Sequence, residues 1–149
     1  MNKPCNAEMM LENQLCFSIY SLSNAMTRAY RPILEAIDLT YLQYIVMMVL
    51  WQEQQVNVKV LGERLHLDSG TLTPLLKRLD SKGLIMRRRC EMDERVRLIS
   101  LTDEGKQLQT EASKVPSQMR CHVDLDMQEV EGLKLKVDKL LMLLLDSKA

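Results

Sequence analysis

The sequence predicts a mainly α-helical chain with a small β-hairpin wing, arranged as a winged helix-turn-helix. Three observations predict it. Apolar residues recur at three- and four-residue steps through most of the 149 residues. Two short amphipathic segments flank the break Leu67-Asp68-Ser69-Gly70, which is the helix-turn-helix pattern. An arginine-rich stretch then doubles back through a charged tip. Composition agrees: five Gly and four Pro are too few for disorder or a turn-rich all-β fold, and Leu and Met supply bulk in place of aromatics.

Each element follows from its local pattern. Leu11, Leu15, Ile19, Leu22 and Met26 share one helical face, which predicts a helix over 10–37 that Pro32 bends or ends. A second helix is expected over 38–54, with Thr40 as its cap and Leu42, Ile45, Val46, Val49 and Leu50 on its apolar side. Asn57 caps a third, short helix that ends near His66 and turns Val58, Leu61 and Leu65 inward. Leu72, Leu75, Leu76 and Leu79 stand at i, i+3, i+4 and i+7 on a fourth helix closed by Gly83. Pro74 requires that helix to start near Thr71 or to kink. Strands over 84–90 and 96–101 form the wing around a polar tip. Thr102 caps a fifth helix with acidic residues in its first turn, which runs to about Val115, where Pro116 interrupts. The last helix covers 126–146, with Val130, Leu133, Val137, Leu140 and Leu144 near heptad spacing. The expected organisation is one domain over 1–149, with dimerisation helices at 10–37 and 103–149 around a DNA-binding region at 40–101.

Charge is neutral overall but uneven. Residues 59–97 hold ten Lys and Arg against six Asp and Glu, an excess of +4. A neutral chain with a basic middle can bind nucleic acid, because phosphates respond to the local field. The longest apolar run, residues 45–51, is too short to cross a bilayer. With no signal-peptide pattern, a cytoplasmic protein without membrane association is expected. There the four cysteines, Cys5, Cys16, Cys90 and Cys121, rest as thiols. They show no Cys-x-x-Cys pair, so neither a zinc site nor any other cofactor is expected.

The outer face of the fourth helix carries Ser69, Thr71, Thr73, Lys77 and Arg78. Short hydroxyl side chains approach base edges in the major groove, and the cations reach guanine or phosphate. In the wing, Arg88, Asp93 and Arg95 are the candidates, with Arg95 placed to enter a narrow minor groove. Any one of these charges alone is more often a solvated side chain; the combination predicts binding to double-stranded DNA. One such module makes few contacts. The long apolar faces at both ends therefore predict a homodimer, with its reading helices about 34 Å apart on a palindromic operator.

At these residues the sequence resembles the MarR family, and within it the OhrR branch of organic hydroperoxide resistance regulators. The segments that carry the likeness are Leu11-Glu12-Asn13-Gln14-Leu15-Cys16-Phe17, Leu39-Thr40-Tyr41-Leu42-Gln43-Tyr44, Leu67 through Arg78, and Asp93-Glu94-Arg95 in the wing. The resemblance covers nearly the whole chain and implies a MarR-type dimer. It implies that Cys16 is the peroxide-reactive cysteine, that Tyr30 and Tyr41 hydrogen-bond it, and that Tyr20 is a further pocket tyrosine one turn after Cys16. It also implies that Cys121 is the resolving cysteine, contributed by the other subunit. Two departures stand out: Leu42 where the branch often has proline, and His66 where it often has tyrosine.

The chemistry is coherent with that likeness. A thiolate attacks the O–O bond, and tyrosine hydroxyls favour the anion by hydrogen-bonding to it. The resulting sulfenic acid condenses with a nearby thiol. Leu15, Phe17 and Ile19 provide an apolar setting suited to organic hydroperoxides. Taken alone, a cysteine on an apolar helix is more often an inert core residue; the surrounding tyrosines and the matching segment reverse that preference. Cys5 and Cys90 are expected bystanders, with Cys90 oxidisable beside Arg88 and Arg89. His66 and His122 are expected to be ordinary polar residues. The competing readings are a MarR-type repressor released by a bound small molecule, a sensor of another oxidant such as hypochlorite, and a thiol peroxidase. The last lacks any catalytic acid/base set in the sequence.

Overall fold

Leu15, Ile19 and Leu22 build an amphipathic helix whose apolar side is exposed among the described residues, whereas Leu34, Leu39, Leu50, Leu61, Leu72, Leu75, Leu76 and Leu79 share one core. The computed structural model describes residues 7–93, 95–123 and 125–147. Two residues named above, Cys5 and Glu94, lie outside the described residues. Helix α1 spans Leu15–Glu35, preceded by short 3-10 turns at Ala7–Met9 and Leu11–Asn13. Pro32 lies inside α1, which continues three residues beyond it. Helix α2 spans Tyr41–Glu53 and starts with a capping box in which Thr40 and Gln43 exchange hydrogen bonds. In that exchange the side-chain oxygen of the buried Gln43 accepts from the Thr40 backbone N–H.

Strand β1 (Gln55–Asn57) comes next, then helix α3 (Val58–Leu65), capped by the Asn57 side chain and closed by His66 in the left-handed region. Helix α4 spans Ser69–Ser81. It starts two residues before the expected Thr71, because Asp68 is the cap: its carboxylate accepts from the Thr71 backbone N–H at 2.8 Å. Pro74 is therefore interior to α4. At the other end Gly83, with φ of 71°, closes α4: Gly83 N–H donates to Asp80 O and Leu84 N–H to Leu79 O, a pattern that favours a residue without Cβ.

Strands β2 (Ile85–Arg89) and β3 (Arg97–Leu101) form the predicted wing, with Ile85 opposite Leu101 and Arg89 opposite Arg97. The wing is not a lone hairpin. β1 pairs antiparallel with β3, giving a three-stranded sheet of order β1-β3-β2. Helix α5 (Asp103–Ala112) has Thr102 as its cap. It stops before the expected Val115. Pro116 then stands in the first turn of a new helix, α6 (Val115–Arg120), where its missing N–H costs nothing. Helix α7 spans Met127–Asp146 and opens with an Asp126/Glu129 capping box.

The chain divides into two compact units, Met1–Val115 and Pro116–Ala149. The first holds a core made by Val46, Met47 and Leu50 of α2, Leu61 of α3, Leu72, Leu76 and Leu79 of α4, and Ile85 and Ile99 of the sheet. Each such side chain stabilises the fold by about 1.5–3 kcal/mol through burial. In the second unit, α7 has no buried residue among those described. Among the described residues no helix is long and apolar enough to cross a membrane.

Candidate nucleic-acid interface and thiol site

The leucines of α4 face the core, so the opposite side of the helix is turned outward. Ser69, Thr73 and Lys77 follow one another at four-residue steps there, and they and Arg78 are exposed. Thr71 differs: it is half-buried, and its hydroxyl donates to the Asp68 carboxylate at 3.2 Å. The proton on Thr71 thus serves the start of the helix, leaving its oxygen only as an acceptor. The N–H of Thr71 and then its hydroxyl hold the Asp68 carboxyl below its usual pKa.

Not all the basic residues of this region are available to a phosphate. Lys59 pairs with Glu63 at 4.0 Å, Arg64 with Glu53 at 2.5 Å, Lys82 with Asp38 at 2.9 Å and Arg87 with Asp80 at 3.0 Å. The last pair ties the wing strand β2 to α4, so Arg87 positions the wing. Lys77, Arg78, Arg88, Arg89, Arg95 and Arg97 are exposed. Arg89 and Arg97 face each other across the hairpin, a like-charged pair that costs stability unless an anion lies beside it. Sequence reasoning passed over both; the register, centred on Asp93, was the available signal. At the tip the Asp93 carboxylate accepts from the Arg95 backbone N–H at 2.9 Å, and Asp93 O accepts from Val96 N–H. Asp93 shapes the turn that presents Arg95.

Cys16 is an exposed thiol in the first turn of α1. Around it on α1, Leu15, Phe17, Ile19 and Tyr20 are also exposed, Tyr20 by 65%. Tyr30 and Tyr41 meet elsewhere: their rings are 4.9 Å apart at the C-terminal part of α1 and the start of α2. Cys16 and Tyr30 are on one continuous helix, fourteen residues apart in sequence. At 1.5 Å per residue that is roughly 21 Å, so the two do not touch within one chain. The structure therefore brings Tyr30 and Tyr41 together and leaves Cys16 apart from that pair, with Tyr20 one turn away from it on α1. Burial, and secondarily the neighbouring Tyr41, pushes the Tyr30 hydroxyl above its ordinary pKa. Tyr44 is shifted the same way by burial and then by Tyr30 and Tyr41. Both therefore remain protonated donors at neutral pH.

Cys121 follows α6 in the second unit and is exposed. Beside it, the His122 ring meets Gln118 O at 3.1 Å, a local hydrogen bond. Cys90 is half-buried at the end of β2, where its N–H donates to Val96 O.

The comparisons with known proteins agree with this geometry. Residues 28–112 match the family described as transcriptional regulator SarA/Rot. The organic hydroperoxide resistance transcriptional regulator of Bacillus subtilis is 48% identical over 85% of this chain and 84% of its own. Reduced AbfR bound to DNA, a protein of Staphylococcus epidermidis, superposes with a TM-score of 0.83 at 34% identity, covering 95% of this chain and 97% of that one. The disulfide form of AbfR is less similar, with a TM-score of 0.61 at 36% identity over 92% and 91% of the two chains. A cysteine-to-serine variant of MarR from E. coli in complex with operator DNA gives a TM-score of 0.77 at 26% identity, over 85% of this chain and 93% of that one.

Proposed function

The chain belongs to the SarA/Rot family of MarR-like winged-helix transcriptional regulators, DNA-binding proteins rather than enzymes, and from that premise we propose that it is a homodimeric repressor that releases its operator when an organic hydroperoxide oxidises Cys16. One observation carries the reading: Cys16 stands exposed in the first turn of α1, on an apolar and uncovered surface, in a chain this similar to the Bacillus regulator.

A second copy supplies what one chain lacks. Leu15, Ile19, Leu22 and Met26 of α1 are exposed, as are Val130, Leu133, Val137 and Leu144 of α7. Apolar surface of this extent on two helices supports their burial between protomers. The partner's tyrosine pair then meets Cys16 across the dimer, since the helix holds the chain's own pair away. Tyr20, four residues beyond Cys16 on the same face, borders the same surface. Two copies of α4 enter successive major grooves of a palindrome, with Ser69, Thr71, Thr73, Lys77 and Arg78 toward the bases and phosphates and Arg88 and Arg95 toward the flanks.

The chemical step balances simply. The Cys16 sulfur attacks the distal peroxide oxygen, the O–O bond breaks, and the alcohol leaves with a proton as Cys16 becomes a sulfenic acid. A second thiol, Cys121 of the other protomer, displaces water from that sulfur and forms a disulfide. AbfR, solved in reduced DNA-bound and disulfide forms, is a precedent for such a change in a relative. Cross-linking the long helices moves the reading helices out of register with the operator.

Operator binding followed by fluorescence anisotropy during cumene hydroperoxide titration, with non-reducing mass spectrometry on the same samples, tests the proposal. Release accompanied by an interchain Cys16–Cys121 linkage is expected, and Cys16→Ser should bind DNA and hold it in oxidant. Release of the Cys16→Ser variant by peroxide refutes the role of Cys16.

A further inference from the structure

The tyrosine pair does not end at Tyr41. Tyr30 also lies 6.3 Å from Tyr44, centroid to centroid, and Tyr44 lies 6.3 Å from Trp51 in an edge-to-face arrangement. Tyr44 and Trp51 are two turns apart on α2 and nearly sealed from solvent, at 4% and 8% exposure. A row of four aromatic rings therefore runs from the end of α1 along α2. At its far end the Trp51 indole N–H donates to Gly105 O at 2.8 Å in a buried hydrogen bond.

Gly105 lies where the wing is rooted. A Cβ on it would stand 2.0 Å from Leu84 O and 3.2 Å from a methyl of Leu101. Leu84 immediately precedes β2 and Leu101 ends β3, so the first turn of α5 presses against both legs of the hairpin. Thr102 fastens the same point, its hydroxyl donating to Gly83 O at 2.6 Å and its N–H to Leu84 O at 3.2 Å. The indole N–H is thus aimed at the root of the DNA-binding hairpin, and the other end of the row is the pair assigned above to the peroxide pocket.

We propose that Trp51 is a positioning residue for the wing, and that the aromatic row conveys the state of the Tyr30–Tyr41 pair to the wing root. This rests on the reading of Cys16 given above. The physical basis is close packing: Tyr30 is half-buried and packs against the core, while Tyr44 and Trp51 are buried in it and cannot take up a displacement locally, so a shift of Tyr30 toward the core is passed to Tyr44 and then to the indole edge. Changing the Trp51–Gly105 bond re-aims the hairpin that carries Arg88 and Arg95. No cation on the DNA face is altered.

Trp51 is the one tryptophan of the chain, so its emission reports on the row directly. The experiment uses the full-length reduced protein, a full operator duplex and a shortened duplex lacking the flanks that the wing reaches. Cumene hydroperoxide is expected to change Trp51 emission in the wild type and not in Cys16→Ser. Trp51→Phe keeps one aromatic ring and loses the donor together with the second ring of the indole. It is expected to weaken binding to the full operator by about tenfold, to spare the shortened duplex, and to lower the slope of affinity against salt on the full operator toward the slope on the shortened one, since the re-aimed wing no longer neutralises the flanking phosphates. Tyr44→Leu breaks the row while keeping the Trp51–Gly105 bond, so it should bind normally and lose the emission response to oxidant. Equal weakening of Trp51→Phe on both duplexes, or release of the operator with constant Trp51 emission, overturns the proposal and leaves the Cys16 reading intact. Failure of peroxide to oxidise Cys16 or release DNA overturns that reading instead.

Discussion

Among the described residues every buried apolar side chain except Met119 lies between Leu34 and Val115, whereas α1 before Leu34 and the whole of α7 bury none. Both regions are helical and both are rich in leucine. The first completes its own core from helices α2 to α5 and a three-stranded sheet, so its shape is set by one chain. The second carries apolar stripes that are exposed in the single chain. On the function proposed above, those stripes are the dimer junction, and Cys16 stands on one of them.

The most severe challenge to this comparison is a charge on the uncovered side. Leu133→Asp in α7 should leave the helical spectrum of the chain intact, turn dimers into monomers in sedimentation, and reduce operator affinity by about a thousandfold, toward non-specific binding. If the variant stays dimeric, α7 is not the junction. Within the self-sufficient region, Leu79→Ala removes a fully buried side chain and should cost about 2–5 kcal/mol in thermal or urea denaturation. A loss below 1 kcal/mol there would erase the distinction between the regions.

The two regions also differ at their glycines. Gly105→Ala drives a methyl against Leu84 O and should cost about 1–3 kcal/mol or more. Gly132, inside α7, has nothing within 4 Å of its Cβ position, so Gly132→Ala should raise stability by about 0.5–1 kcal/mol through helix propensity alone. A loss at Gly132 would place a partner backbone against that turn of α7. The smallest effect concerns Asp68. Its folded carboxyl titrates below the ordinary value of 3.8, so its contribution is complete above that pH and is lost as pH falls through the lower, folded value. Asp68→Asn keeps the capping oxygen and should remove this acid-side dependence of helix-turn-helix stability, measured by circular dichroism between pH 5 and pH 2.

Local pattern carried much of the architecture. Thr40, Asn57, Thr102 and Asp126 mark helix starts because each side chain satisfies a backbone N–H a few residues away, a relation written into adjacent positions. The same logic places Gly83 at the end of α4. What local pattern left unsettled has a common form. Pro74 leaves two readings open in the sequence, a start near Thr71 or a proline inside the helix, and the Asp68 cap selects the second. Pro116 reads as an interruption in the sequence, but a helix tolerates proline in its first turn and α6 begins there. β1, three residues long, shows no period and exists because β3 offers an edge. In the candidate site, residue spacing places Cys16 and Tyr20 on one face and Tyr30 far along the same helix, but it does not show the meeting of Tyr30 with Tyr41 of α2.

By itself the sequence determined the helices, their caps, the hairpin and the residue types on the reading face, because those depend on contacts within four residues. Tertiary structure alone decided which cations are tied up in ion pairs and that Trp51 reaches Gly105 across 54 positions. Such contacts join residues far apart in the chain, and no local period or spacing encodes the meeting of two surfaces.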